Sequence, residues 1–87
     1  MISKARPSFW RFYARLPDEV KLRARQVYRL FSSNPGHPSL RWKKLQIEQE
    51  YWSVRVTDQY RAVGVPQGEV IEWIWIGTHN EFDKQFS

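Results

Sequence analysis

Between Tyr51 and Asp83 the chain carries three β-type runs separated by short turn-forming stretches, and this constrains its fold more than any other feature. Residues 51–57 and 60–65 predict a hairpin, and residues 69–76 predict a third strand with Gly77 and His79 just past its end. Two arginines, Arg55 and Arg61, therefore fall inside strands. A guanidinium in a small domain is almost never fully buried alone, so each must be ion-paired, anchored at a rim or directed at a phosphate.

The faces of the hairpin follow from the period of two. Trp52, Val54 and Val56 point one way, and Tyr51, Ser53, Arg55 and Thr57 point the other. With Asp58 and Gln59 as a bare two-residue turn, Val56 would pair with Arg61 and the two arginines would lie on opposite faces. Arg61 would then need a buried partner, so a longer loop or a bulge that shifts the register by one and unites Arg55 with Arg61 is expected. The third strand is apolar on both faces, as a central strand would be, with Trp73 and Trp75 assigned to one side and Ile74 and Ile76 to the other. Such tryptophans either fill a core or stack on nucleobases.

Upstream, residues 39–45 also alternate, with Leu40 and Trp42 opposed to Arg41 and Lys43, and predict the first strand of the sheet. The sheet then has an apolar face and a basic, hydroxyl-bearing face. Helices should cover the first, leaving the second available to a ligand. Those helices are legible at the start of the chain. Ser8 is a good N-cap for a short helix presenting Phe9, Phe12, Tyr13 and Leu16 on one side. Pro17 opens a second helix at its first position, with Asp18 and Glu19 complementing the dipole. Its apolar stripe is Val20, Ala24, Val27, Tyr28, Leu30 and Phe31, and Asn34-Pro35-Gly36 stops it. Lys21, Arg25 and Arg29 form a basic row, read either as an interaction face or as the ordinary wet side of an amphipathic helix.

Composition narrows the class. The 87 residues, 41% hydrophobic and 16% aromatic, support one modest core and hence a single domain over residues 1–87. Cysteine is absent, which excludes disulfides and thiolate metal sites. No apolar run reaches membrane-span length and residues 1–7 lack the apolar centre of a signal peptide, so a soluble cytoplasmic protein is expected. Charge is uneven: thirteen of fourteen lysines and arginines, but five of nine carboxylates, lie at or before residue 61, a balance of +8 there and −3 beyond. A polyanion or an acidic protein is the partner such a surface steers. His37, between loop prolines, reads as a surface or capping residue, and no carboxylate at ligand spacing accompanies the two histidines, so neither metal nor cofactor is expected.

The ordered combination of short helix, long helix, "PSLRWKKL", "YWSVRV", "YRAVG", "WIWIG" and "HNEFD" resembles the RelE/ParE superfamily of toxins from bacterial type II toxin–antitoxin pairs. The resemblance runs from about Phe9 to Phe86. It implies an α+β, microbial-ribonuclease-like fold, an N-terminal helical hairpin packed on a small antiparallel sheet of three to four strands. In the RelE branch it implies metal-independent cleavage of messenger RNA on the ribosome, in which the 2′-hydroxyl attacks the adjacent phosphate. Carried onto this chain, Arg61 matches the strand arginine on the scissile phosphate, Arg55 a second basic residue, and His79 the acid/base position. Arg41, Lys43 and Lys44 fall where basic side chains line the RNA groove, and Asp83 is placed to orient His79. Phe82 stands where similar endings carry tyrosine. The implied partners are an acidic cognate antitoxin and ribosome-bound messenger RNA. Two alternatives stay open: the ParE branch, which shares the scaffold and poisons DNA gyrase without ribonuclease chemistry, and a degenerate RNA- or protein-binding module.

Overall fold

The computed structural model describes residues 2–86. Its elements run β1 (Ile2–Ala5), α1 (Pro7–Ala14), α2 (Asp18–Ser33), a 3-10 turn (Pro38–Leu40), β2 (Lys43–Lys44), β3 (Trp52–Thr57), β4 (Tyr60–Gln67), β5 (Val70–Thr78) and α3 (His79–Phe86). The strands form one sheet in the order β1-β5-β4-β3-β2. This is the expected α+β architecture, with two corrections. The sheet has five strands rather than three or four, and β1 pairs parallel to β5, so it is mixed rather than wholly antiparallel. β1 escapes the apolar pattern because an edge strand is held by main-chain bonds: Ile2 N donates to Glu69 O at 2.8 Å and Arg6 N to Trp73 O at 3.0 Å. An Arg6–Glu72 ion pair at 3.0 Å clips the same edge.

Helix starts are set by proline more than by serine. α1 begins at Pro7, with Arg6 extended as its N-cap, so Ser8 lies inside the helix and caps nothing. The locked φ and missing N–H of proline suit the first helical position and hold the preceding residue extended. Pro17 is the N-cap of α2 rather than its first residue, and its carbonyl accepts from Val20 N and Lys21 N, each at 3.0 Å. Val20, Val27 and Phe31 face the core as predicted, whereas Tyr28 stands nearly half exposed at its margin.

The expected strand over residues 39–45 is mostly a turn. Pro38 starts a 3-10 turn that His37 caps, its Nδ1 accepting from Ser39 N at 3.2 Å. Arg41 then takes a left-handed conformation, φ 48°, which breaks the extended chain and leaves Lys43–Lys44 as the strand. Leu40 is buried all the same, and Trp42 packs edge-on to Phe31 at 4.8 Å and stacks on Trp52 at 5.2 Å.

Two bulges decide which side chains meet. In β3 the pairs Arg55↔Arg61 and Thr57↔Tyr60 leave Val56 as the extra residue, so the chain has both the two-residue turn and the expected register shift. In β5 the pairs Val63↔Trp75 and Gly64↔Trp73 leave Ile74 extra. That second bulge overturns the shared-face assignment of the tryptophans: Trp73 packs with Val54, Ile71 and Phe31 under the helices, and Trp75 packs with Leu45, Val63 and Phe82 on the other side. The second face is accordingly no open platform. α3, absent from the sequence reading, packs on it through Phe82 and Phe86, while Arg55 and Arg61 remain partly exposed.

Candidate active site

The Val56 bulge sets Arg55 directly across from Arg61, and antiparallel partners share a face. Arg61 is fixed by its own turn. Its Nη1 donates to Thr57 O at 2.7 Å and to Tyr60 O at 3.0 Å, which uses two of five donors and leaves the rest of the fork free to reach outward. Partial burial, then the charges of Arg55 and Arg41, push its guanidinium below the usual arginine range; Asp58 and Asp83 act in the opposite sense. Four charged groups thus act on Arg61.

Arg55 is ion-paired with Asp58 at 2.5 Å, and that hydrogen bond, then its charge, holds Asp58 below the usual carboxylate range. Arg41 acts on both Arg61 and Asp58, which brings the residue after the 3-10 turn into the cluster. The two lysines separate. Lys43 pairs with Ser53, which shares the arginine side with Arg55 two residues on, while Lys44 pairs with Trp52 and so lies on the helix side. There Lys44 is bonded to Glu50 at 2.9 Å, and Glu50 is held below its usual range by that hydrogen bond. Arg41, Lys43, Arg55 and Arg61 therefore form one group, and Lys44 stands apart from it.

His79 is the first residue of α3, with Gly77, two residues earlier, paired to Arg61. Its Nδ1 lies 3.6 Å from Asp83 Oδ2 one helical turn on, too long for a good hydrogen bond but close enough for an ion pair when the ring is protonated. The ring stacks on Phe82 at 6.2 Å and 13° between planes. Phe82 is itself buried against Trp75, so the position where similar endings carry tyrosine supports the imidazole from below. The His79 backbone N–H donates to Gln59 O at 2.7 Å and ties the helix start to the β3–β4 turn.

Sequence reasoning missed the groups that hold this helix. Thr78-His79-Asn80-Glu81 is a capping box: Glu81 N donates to Thr78 Oγ1 at 3.2 Å, and Glu81 Oε1 accepts from Thr78 N at 3.1 Å and Thr78 Oγ1 at 2.9 Å. The Thr78 backbone bond, then its hydroxyl, keeps Glu81 below the usual carboxylate range. The threonine-to-glutamate spacing was the available signal. Among the described residues no group of three or more His, Cys, Asp or Glu side chains gathers at metal-binding distances.

A five-stranded sheet with a helix pair on one face, and an arginine cluster beside a helix-borne histidine on the other, describes a small α+β domain of the RelE-like fold. The chain belongs to the ParE-like toxin domain family, whose model matches residues 18–84. Solved structures share the fold at low identity. The RelB–RelE antitoxin–toxin complex from Methanococcus jannaschii is 14% identical with a TM-score of 0.77, over 97% of this chain and 99% of that one. The YoeB/ParE toxin from Agrobacterium tumefaciens is 22% identical with a TM-score of 0.71, over 91% and 99%. YafQ from E. coli strain BL21(DE3) is 14% identical with a TM-score of 0.72, over 92% and 94%. No curated protein matches the chain.

Proposed function

We propose that this chain is the toxin of a toxin–antitoxin pair and that it cleaves messenger RNA on the ribosome without a metal. The carrying observation is the cross-strand Arg55–Arg61 pair, joined by Arg41, with Arg61 in electrostatic reach of the carboxylate beside His79. Guanidiniums match phosphate oxygens in shape and charge and stabilise the phosphorane formed as the 2′-oxygen attacks. The P–O5′ bond then breaks. His79, half exposed, is the group placed to give the leaving 5′-oxygen its proton, and the products are a cyclic phosphate and a 5′-hydroxyl. The cluster contains one imidazole, whereas the reaction needs two proton transfers. The 2′-hydroxyl proton passes to solvent water as the 2′-oxygen attacks, which leaves the imidazole for the leaving group, and action on translated message would place the protein in the cytoplasm.

The antitoxin reading rests on the other face of the molecule. α1 packs on β5 and α2 on β3, and a groove of about 460 Å³ runs between them, lined by Phe9, Trp10, Val27, Tyr28 and Trp73 with Lys4 and Arg25 on its wall. Trp10 and Tyr28 are about half exposed, and the buried Trp73 Nε1 has no hydrogen-bond partner. An acidic amphipathic helix would cover the apolar surface and meet the cations.

Inducible expression with mapping of RNA 5′ ends and assay of DNA supercoiling in one culture tests the activity. New 5′-hydroxyl ends inside translated messages, lost in Arg61→Ala, are expected. Unaltered RNA ends with damaged or abnormally supercoiled DNA would transfer the protein to the gyrase-poison reading, which the ParE-like family match favours.

A further inference from the structure

Asp58 sits at the tip of the β3–β4 turn with its side chain 84% exposed, yet its carboxylate is engaged by Arg55, whose side chain is 22% exposed. The arginine is seated in the sheet face, and the carboxylate comes to it. The backbone beside Asp58 is tied on both sides, since Thr57 O accepts from Arg61 Nη1 at 2.7 Å and Gln59 O accepts from His79 N at 2.7 Å. That leaves the side chain of Asp58 as the part of the turn that can swing. Arg41 and Arg61 act on the same carboxylate. One guanidinium bonded to the carboxylate, with two more acting on it at longer range, resembles the surroundings of a bound oxyanion, with the oxyanion supplied by the protein itself.

We propose that Asp58 is a built-in phosphate surrogate that occupies the Arg55 fork in the free toxin and is displaced when an RNA phosphodiester enters the cluster. This rests on reading the arginine cluster as a phosphate site. A phosphodiester presents two non-bridging oxygens and one negative charge, much as a carboxylate does, so the two compete for the same donors. The contact works as a threshold. An isolated anion must displace Asp58 on the strength of one contact, whereas an RNA held along the basic surface makes the exchange while other phosphates are already bound.

The test is equilibrium binding of a short labelled single-stranded oligonucleotide lacking 2′-hydroxyls, which cannot be cleaved, to the intact chain at two salt concentrations. Asp58→Asn keeps a turn-compatible side chain and removes the charge; Asp58→Ser does the same with a smaller group should the first fold poorly. Several-fold tighter binding and a steeper salt dependence than wild type are expected, with the gain lost when Arg55→Ala is also present. Unchanged or weaker binding by the folded Asp58 variants would overturn the proposal, as would an equal gain with and without Arg55, which would mark a general charge effect. Should Arg55→Ala and Arg61→Ala each bind as tightly as wild type, the phosphate site and the surrogate would fall together. If those two weaken binding but Asp58→Asn brings no gain, the surrogate alone falls.

Discussion

Arg61 and His79 carry unequal structural duties, and their substitutions should separate accordingly. Arg61 is anchored by two carbonyls of its own turn, so its fork is pre-aimed. Arg61→Ala is expected to slow message cleavage by roughly 10²–10³-fold, the usual effect of losing one fixed donor to developing charge, and Arg55→Ala to do so less completely, because Arg55 is shared with Asp58. Arg61→Lys keeps the charge and loses the planar fork; partial activity would make the role that of a point charge. His79 is half exposed and its ring forms no close hydrogen bond with Asp83. His79→Ala should therefore leave the fold intact while slowing cleavage by about 10²–10⁴-fold, read as the rate of 5′-hydroxyl end formation on translated message. Full cleavage by the folded variant would remove the acid assignment.

At the level of elements, α3 is held by its cap and by Trp75, and both can be challenged. Glu81 has a depressed folded-state value, so its contribution is present above the ordinary carboxylate range and is lost as pH falls through that lower value. Amide exchange at residues 78–81 should quicken as pH is lowered below the ordinary carboxylate range, after correction for intrinsic rates, and Glu81→Gln should remove that acid-dependent component. Gly77 is the second point, because a Cβ there would lie 2.6 Å from Trp75 Cζ2. Gly77→Ala must displace the indole that packs on Phe82 and Phe86, and a loss of about 1–3 kcal/mol in denaturant unfolding is expected. These same elements mark the limit of what the sequence discloses. The hairpin, both N-terminal helices and the meeting of Arg55 with Arg61 follow from periodicity and from the cost of burying a lone guanidinium. The edge strand β1 does not, because parallel edge pairing rests on main-chain bonds that no side-chain pattern announces. The Ile74 bulge sends Trp73 and Trp75 to opposite faces through one extra residue, which alternation alone cannot foresee. α3 was readable from Thr78 and Glu81, and with it the fact that His79 opens a helix instead of trailing a strand.

Across the whole molecule, apolar recognition and charge steering fall on different features, so they should separate in the kinetics of antitoxin binding. The groove between α1 and α2 supplies apolar surface, including Trp10, Tyr28 and an indole N–H without an acceptor. The +8 balance up to residue 61 supplies a long-range field. A field acts chiefly on encounter, whereas groove contacts act once the partner is seated. With the acidic product of a neighbouring gene as partner, the association rate should fall steeply as salt rises while the dissociation rate changes little. Trp10→Ser and Tyr28→Ser should do the reverse, raising the dissociation rate by about five- to thirtyfold each, as expected for aromatic anchors worth roughly 1–2 kcal/mol. Neutralising Arg25 and Arg29, the exposed members of the basic row on α2, together should lower the association rate, provided that row belongs to the steering surface. Stopped-flow measurements across ionic strength decide this. An association rate indifferent to salt would assign the excess charge to the RNA-facing side of the sheet alone, and unchanged dissociation in the Trp10 and Tyr28 variants would move the antitoxin off the groove.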